Sequence, residues 1–284
     1  MGISQYIKEI GRGPRGSKPL TREQAADLFG QLLDGNVTDL EIGAFCLAMR
    51  IKGETPEEMC GFLDAAHSRM ALFPASDRPV IVLPSYNGAR KLPVLTPLLA
   101  LLLAREGLPV LLHGMRTEAR RTLASDVLLA LGVPALTAPE KIATGSVAHI
   151  ETGYLHAALA RLLKVREVVG LRNAGHSIVK LMNPCAGPAV VVTSYTHPEY
   201  YDMLQATFGA LHMTALLSRG LEGEVATDPR RTPRYDAFVA GVHQLLQEQQ
   251  PGTAAYVPGL TTEIDINTTA RYTQDVLDGR LPVP

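Results

Sequence analysis

The pattern of hydrophobic and polar positions changes near residue 79, and the first seventy residues are typical of helices only. Three threonines there precede a Gln or Glu by three residues, a spacing that lets two side chains cap the start of a helix reciprocally. The pairs are Thr21 with Gln24, Thr38 with Glu41 and Thr55 with Glu58. Gly35 and Gly53 follow the predicted helix ends, where a left-handed residue is needed. We therefore predict an all-helical beginning.

From Pro79 onward, short apolar strands alternate with helices. We predict strands at 79–83, 109–112, 189–193 and 213–217, helices at 94–106, 122–131 and 198–209, and further helical stretches up to residue 164. The chain from about 249 is rich in Pro, Gly and Thr, so we expect little regular structure there before a helix at 268–278. Alternation of this kind indicates an α/β fold with a mainly parallel sheet flanked by helices.

Composition allows a large core and argues against a secreted or membrane protein. Of the 284 residues, 46% are hydrophobic, enough for one large domain or a small domain joined to a larger one. Three cysteines are too few and scattered for disulfides or structural zinc, and we expect Cys46 and Cys60 to be buried thiols. The longest apolar run, Val94 to Ala104, is about half of a membrane-spanning helix, and the first residues lack the apolar core of a signal peptide. We expect a soluble, cytoplasmic protein with no membrane partner.

The net charge of −1 conceals two basic clusters. Each cluster has five Lys or Arg residues and one acid, and their basic members are Lys8, Arg12, Arg15, Lys18 and Arg22, then Arg161, Lys164, Arg166, Arg172 and Lys180. Acidic residues gather elsewhere, at 34–41, 54–58 and 222–228. We therefore expect a polarised surface, despite the near-neutral total.

Several segments, in order along nearly the whole chain, resemble the anthranilate phosphoribosyltransferase family, which has the glycosyltransferase family 3 fold. They are residues 50–59, 113–116, 126–133, 169–184 and 197–199. The resemblance implies a small helical domain at 1–74, with part of 165–185 packing onto it, and a larger α/β domain at 75–284. It also implies a nucleoside phosphorylase or phosphoribosyltransferase-like fold and a homodimer formed through the helical domain. By the same comparison, we expect the chain to end at Pro284 before a final helix of the family.

The family's phosphate and magnesium groups are missing at the matching positions. Its Gly-Thr-Gly-Gly-Asp loop, whose backbone N–H groups approach pyrophosphate, aligns with 83–91, where one glycine remains, Pro84 lacks an N–H and Tyr86 adds a ring. Its Asn-Ile-Ser-Thr aligns with 94–97, and its Asp-Glu pair for magnesium aligns with Val225 and Ala226. Glu222 and Glu224 lie nearby as alternative cation ligands, but two acids in a turn are more often solvated. We assign no catalytic residue, no metal ligand and no cofactor.

Within this family, the loop at 85–91 and the segment at 172–177 resemble the YbiB-type branch. The resemblance implies binding of single- or double-stranded DNA or RNA with little sequence preference, through Lys and Arg contacts to backbone phosphates. The candidate contacts are Lys8, Arg12, Arg15, Lys18, Arg161, Lys164, Arg166, Arg172 and Lys180. For Arg172, a salt bridge or a helix C-cap is an equally good interpretation.

A second candidate anion site lies around the altered loop and the cleft that the family fold implies. Its residues are Ser85, Tyr86, Asn87, Gly88, Arg90, Lys91, His113, Arg116 and His176. Here Tyr86 with Arg90 and Lys91 is a candidate to hold a single strand by stacking, although a Tyr at a strand end is more often structural. His113, His176 and His197 lack metal-ligand spacing, and we interpret them as scaffold residues.

The sequence therefore leaves three candidate functions. The first is a nucleic-acid-binding protein without transferase activity. The second is a glycosyl or phosphoribosyl transferase with an altered substrate, since a cleft between domains can be reused. The third is an interaction scaffold for an acidic partner. Loss of the phosphate and magnesium groups favours the first over the second, whereas the sequence hardly separates the first from the third.

Overall fold

The first part of the chain is helical, as predicted. The computed structural model describes residues 2–13, 15–118 and 120–284. It places α1 at Ser4–Ile10, α2 at Arg22–Leu33, α3 at Asp39–Lys52 and α4 at Pro56–His67. All three predicted capping boxes are present, with both reciprocal hydrogen bonds formed in each. Gly35 and Gly53 have positive φ angles of 73° and 80° after helix ends, as predicted, although Gly53 combines this φ with an extended ψ of 151°.

Three phenylalanines hold these helices together. The rings of Phe29, Phe45 and Phe62 are fully buried, with centroids 5.0 to 6.2 Å apart. Each buried side chain of this size contributes roughly 1.5–3 kcal/mol relative to an exposed one. Cys46 and Cys60 are buried free thiols, as expected.

The remaining chain builds a sheet with helices around it. Its strands are β1 (Val80–Ser85), β2 (Val110–Gly114), β3 (Ala135–Leu136), β4 (Val147–Glu151), β5 (Ala189–Tyr195), β6 (Ala215–Arg219), β7 (Tyr235–Val239) and β8 (Val242–Gln247). Its helices are α5 (Thr96–Arg105), α6 (Ala124–Ala130), α7 (Thr152–Leu155), α8 (Ala157–Val169), α9 (Gly175–Ile178), α10 (Glu199–Ala210) and α11 (Ile266–Leu277).

The sheet is mainly parallel, which confirms the predicted fold class of a small helical domain plus a larger α/β domain. In the described chain its strand order is β3-β4-β2-β1-β5-β6-β7-β8. The pairs from β3 to β6 are parallel, and β7 and β8 are added antiparallel at one edge. The central strand β1 is buried except at Ile81, because helices and neighbouring strands cover both its faces. Parallel strands end at one edge of the sheet, and the candidate site lies there.

Four strands were not predicted. Further helix was expected up to residue 164, but β3 and β4 lie in that stretch, so the expectation was wrong for 135–136 and 147–151. The β7–β8 hairpin turns at Ala240 and Gly241, which both have positive φ. Every residue of β8 is exposed, so the strand has no buried face that would require apolar residues at alternate positions.

The segment after α8 returns to the helical part. Gly170, with a φ of 74°, ends α8 in the left-handed conformation. The backbone N–H of Asn183 donates to His67 Nε2 at 3.2 Å, and that of Phe73 donates to the Pro184 carbonyl at 2.8 Å. Arg172 and α9 are thereby held between the helices and the sheet. Over the residues that the structure describes, we find no helix with the length and apolar character to cross a bilayer.

Candidate functional site

The loop after β1 is closed by a carboxylate of the chain itself. Glu224 is only 4% exposed. Its Oε1 accepts hydrogen bonds from the backbone N–H groups of Asn87 and Gly88, at 2.9 and 2.8 Å. Its Oε2 accepts from the hydroxyls of Ser85 and Thr96, at 2.5 and 3.0 Å. The donors that converge at the carboxyl edge of the sheet are therefore directed at a built-in anion.

A second carboxylate continues the same pattern. Glu222 Oε2 accepts from the backbone N–H groups of Arg90 and Lys91, both at 2.9 Å, and Arg90 Nε lies 3.5 Å from Glu222 Oε1. The sequence-based view of both acids as solvated is therefore wrong. We call residues 222–224 the acidic turn. Gly223 between them has a φ of 86°, and a Cβ there would lie 1.8 Å from Asn87 Nδ2, so only glycine fits.

The acidic turn does not suit a magnesium ion. Every carboxylate oxygen of Glu224 accepts N–H or O–H donors, whose positive ends repel a cation at the same position. Val225 and Ala226 have no oxygen-bearing side chain. Among the residues that the structure describes, no group of three or more His, Cys, Asp or Glu side chains is placed to hold a metal. The family's metal therefore does not fit the residues present.

Tyr86 and His113 lie in the core and not in a cleft. Tyr86 is 2% exposed, and its hydroxyl hydrogen-bonds His113 Nδ1 and Thr152 Oγ1, each at 2.8 Å. Burial, followed by the neighbouring charge of His149, lowers the pKa of His113 to about 3. The proposed stacking role of Tyr86 is therefore wrong, because its ring is covered by protein. The alternative interpretation, a structural Tyr at a strand end, is confirmed.

Beside the acidic turn opens a cavity of about 790 Å³, which we call the basic cleft. Its cationic lining residues are Arg90, Lys91, Arg121, Arg166, Arg172, Arg219, Arg230 and Arg231, and its acidic ones are Glu118, Glu222 and Asp228. Eight cations against three acids leave an excess of five positive charges, so the cleft attracts anions.

The positive charges of the basic cleft are close enough to repel one another. Glu118 is shared by Arg121, at 2.9 Å, and Arg166, at 3.4 Å. Arg172 donates to Asn87 Oδ1 at 3.0 Å, so neither a salt bridge nor a helix cap describes it. Burial, then the charges of Arg166 and Arg121, lowers the pKa of Arg172. A bound anion would relieve this repulsion.

The structure brings together only part of the predicted set. From the predicted nucleic-acid contacts, Arg166 and Arg172 line the basic cleft, and from the predicted anion site Asn87, Arg90 and Lys91 join them. Sequence reasoning missed Arg121, Arg219, Arg230 and Arg231. A usable signal existed for Arg219, because it ends β6 at the carboxyl edge of the sheet, where α/β folds bind ligands.

The other predicted residues lie elsewhere or are already bonded. The side chains of Lys8, Arg15, Lys18, Arg161 and Lys164 are exposed outside the cleft lining, and Arg12 is exposed and paired with Glu9 at 2.7 Å. The ammonium of Lys180 donates to the Gly223 carbonyl at 2.8 Å, and its burial lowers its pKa to about 8, so it is not a surface contact. Ser85 and Gly88 are used by Glu224, and Arg116 pairs with Asp126 at 2.6 Å.

A second cavity of about 350 Å³, which we call the inner pocket, lies between the end of α3, α9, β5 and α10. It shares Arg172, Thr196 and His197 with the basic cleft. His176 lines it and is 7% exposed, and its Nδ1 lies 3.3 Å from the backbone N of Asn173 and 3.2 Å from Asn173 Oδ1. Because Asn173 offers this nitrogen both a donor and an acceptor, Nε2 donates or accepts according to the tautomer of the ring. Burial lowers the pKa of His176 to about 3, which keeps the ring neutral.

Comparisons with known proteins agree with this architecture. Residues 4–70 match the glycosyl transferase family, helical bundle domain. The chain is 36% identical over 291 residues to the uncharacterized protein YbiB of Escherichia coli K12, covering 100% of this chain and 90% of that protein. It is 31% identical over 219 residues to anthranilate phosphoribosyltransferase of Methylorubrum extorquens, covering 74% of this chain and 65% of that enzyme.

Solved structures show the same fold at lower identity. Anthranilate phosphoribosyltransferase from Thermus thermophilus superposes with a TM-score of 0.73 and 21% identity, over 99% of this chain and 84% of that one. The enzyme from Saccharomyces cerevisiae, solved in complex with PRPP and Mg, gives a TM-score of 0.68 and 15% identity, over 98% and 82%.

Proposed function

The chain belongs to the family of anthranilate phosphoribosyltransferase-like proteins that includes YbiB, and from this premise we propose that it binds nucleic acid in the basic cleft instead of transferring a phosphoribosyl group. The observation that carries the proposal is the carboxylate of Glu224 bonded to the loop after β1. The loop's anion site is already filled, while the eight cationic side chains of the basic cleft outnumber its three acids.

Binding of pyrophosphate to the loop after β1 is disfavoured, because pyrophosphate would have to displace a buried carboxylate that is fully hydrogen-bonded. To reach the backbone N–H groups of Asn87 and Gly88, it must displace Glu224. The buried carboxylate would then lose four hydrogen bonds and face a second anion. A buried charge without partners costs several kcal/mol in a protein interior, on the order of 3–5 kcal/mol.

Nucleic acid fits the basic cleft for a different reason. Its phosphates are repeated single negative charges, which Arg and Lys side chains neutralise without a fixed geometry and with release of counterions. If the cleft contacts about four phosphates of a single strand, the logarithm of affinity falls with the logarithm of salt concentration at a slope of about −2.8. None of these contacts reads a base edge in a groove, so we expect little sequence preference.

We extend the proposal to a homodimer formed through the helical part. Leu40, Leu47 and Ile51 are exposed on α3, and they recur at the spacing that places them on one helix face. Val168, near the end of α8, is also exposed. Burial of this apolar surface against a second copy would double the number of basic clefts. Both copies together would then engage roughly eight phosphates, with a salt slope of about −7 on duplex DNA.

The test pairs two double charge reversals that change net charge equally. Lys91→Glu with Arg219→Glu changes exposed residues of the basic cleft, and Lys141→Glu with Arg271→Glu changes exposed residues outside it. Labelled single- and double-stranded DNA is titrated at several salt concentrations, with anthranilate and phosphoribosyl pyrophosphate turnover measured in parallel. We expect only the cleft variant to bind more weakly, with a single-strand salt slope shallower by about 1.4. Equal losses of DNA affinity in both variants would show that net charge, and not the basic cleft, determines binding.

A transferase with another substrate is the second candidate function, and the inner pocket supports it. That pocket adjoins the basic cleft at Arg172, so an acceptor and an anionic donor can lie side by side. Turnover above background in the parallel assay, with no salt-sensitive DNA binding, would favour a transferase over the first function and would show that it still accepts the family's substrates. Salt-sensitive binding of an acidic protein in place of DNA would favour an interaction scaffold.

A further inference from the structure

The basic cleft and the inner pocket form one continuous depression with two different linings. Arg172, Thr196 and His197 belong to both, and the guanidinium of Arg172 is fixed at their junction by Asn87. A ligand with its charged part in the basic cleft therefore has an adjacent group within reach of the inner pocket.

The inner pocket suits an uncharged group. Its charged lining residues nearly balance, with Arg50, Arg172 and Lys180 against Glu54 and Glu199. Burial also favours the neutral forms of Glu54, whose pKa is raised, and of Lys180, whose pKa is lowered to about 8. The rest of the lining includes apolar and aromatic side chains, namely Met49, Leu181, Tyr195, Tyr200, Met203 and Leu204. The basic cleft, by contrast, carries an excess of five positive charges.

Two buried polar atoms on the lining residues of the inner pocket have no partner among the described residues. They are Nε2 of His176 and Oγ of Ser194, and both residues are 7% exposed. The Nε2 of the neutral His176 ring donates or accepts according to its tautomer, and a serine hydroxyl does either. A buried polar group left without a partner costs about 1–3 kcal/mol, so an occupant with a hydrogen-bonding edge is favoured.

A flat heterocycle with polar edges, attached to a phosphate, has the chemistry of both cavities. We propose that the inner pocket takes one base of a single-stranded nucleic acid while the flanking phosphates lie in the basic cleft, an inference that rests on the function proposed above. In this proposal an aromatic lining residue, Tyr195 or Tyr200, stacks on the base, and the base edge supplies a partner for the buried polar groups of His176 and Ser194. A base within a duplex is paired and stacked and does not reach such a pocket, so single strands are preferred.

The test compares two strands with the same number of phosphates. One is a labelled oligonucleotide of roughly ten nucleotides, long enough for an electrostatic groove. The other has the same length, but every base is replaced by an abasic tetrahydrofuran unit. We expect the strand with bases to bind about 5- to 150-fold more tightly, the range that stacking of one base provides. Both affinities fall with salt, but their ratio stays constant because a base carries no charge.

The outcomes separate the two proposals. Equal affinity of the two strands, with steep salt dependence, overturns the base pocket and leaves nucleic-acid binding intact. Failure of both strands to bind at low salt overturns both proposals. A free mononucleotide that binds as tightly as the strand with bases would also overturn the inference, because the ligand would then be the nucleotide itself.

Tyr200→Ala and Tyr154→Ala provide matched variants. Tyr200 lines the inner pocket, whereas Tyr154 is an exposed residue of α7 that lines neither cavity. We expect Tyr200→Ala to bring the affinity ratio of the two strands close to one and to leave abasic binding unchanged, which also shows that the variant is folded. Tyr154→Ala should keep the full ratio. An unchanged ratio in Tyr200→Ala contradicts the proposed pocket.

Discussion

Replacing Glu224 with alanine tests whether the chain's own carboxylate holds the loop after β1. The change leaves four donors without an acceptor, two backbone N–H groups and the hydroxyls of Ser85 and Thr96. It also removes the negative charge near Lys180, whose pKa Glu224 raises against the effect of burial. Because a buried charge then lacks its partner, we expect a loss of about 3–5 kcal/mol in the free energy of unfolding.

Glu224→Gln separates shape from charge. The amide oxygen still accepts the two backbone N–H groups, and the hydroxyls of Ser85 and Thr96 rotate to accept from the amide nitrogen. Only the strengthening of these hydrogen bonds by the charge is lost, so we expect the free energy of unfolding to fall by about 1–2 kcal/mol. Glu106→Ala is the control, since this exposed glutamate caps the C-terminus of α5 and should change stability by less than about 0.5 kcal/mol.

Urea unfolding provides the measurement, with the free energy extrapolated to water for each variant. The alanine variant is then unfolded again with inorganic pyrophosphate, because its freed N–H groups form an anion site at the edge of the sheet. At pyrophosphate 100-fold above its dissociation constant for the emptied loop, we expect this variant to regain about 2.7 kcal/mol more than the wild type, because both proteins share the basic cleft but only the variant has free N–H groups in the loop. An alanine variant as stable as the wild type, or equal rescue of both proteins, would refute the filled anion site.

Three further predictions concern the core, the helical part and the dimer. Between its folded pKa near 3 and the ordinary 6.5, His113 binds fewer protons in the folded than in the unfolded chain, so stability falls by roughly 1.4 kcal/mol per pH unit as pH falls through this window. His113→Gln should flatten that slope in urea titrations at several pH values, and an unchanged slope would contradict a neutral buried ring. Glu58→Ala should lower the free energy of unfolding by about 3–5 kcal/mol, because the buried carboxylate accepts from the Leu20 N–H and pairs with Lys52 at 2.6 Å. A loss below about 1 kcal/mol in the same urea assay would show that these bonds contribute little. Leu47→Glu should yield a monomer by light scattering after size-exclusion chromatography, and an unchanged mass would exclude the α3 face from the proposed interface.

Features whose causes are local in sequence were predicted well. Each capping box joins residues three apart, so Thr38 and Glu41 identify a helix start without knowledge of the fold. The central parallel strands are continuous apolar runs because both faces are covered. No local sequence pattern of this kind identifies the edge strand β8. All its residues are exposed, so neither alternation nor a continuous run marks it.

The candidate site depends on contacts that are remote in sequence. The hydrogen bond from Asn87 to Glu224 joins residues 137 positions apart. The sequence shows that a glycine-rich loop is missing and that two acids occur in a distant turn, but no local pattern connects these facts. The partners of Tyr86 were not predictable for the same reason, since His113 and Thr152 come from another strand and a helix of the fold.

The filled loop and the proposed binding mode have one physical origin. Backbone N–H groups at the edge of a parallel sheet require an acceptor, and in this chain Glu222 and Glu224 provide it from within. Backbone donors hold a phosphate in a fixed orientation, which is what a displacement at a sugar carbon needs. The long side chains of the basic cleft would, under the proposed function, hold phosphates loosely and in series, which suits a polymer. Exchange of backbone donors for side-chain donors therefore favours binding over group transfer on the same scaffold.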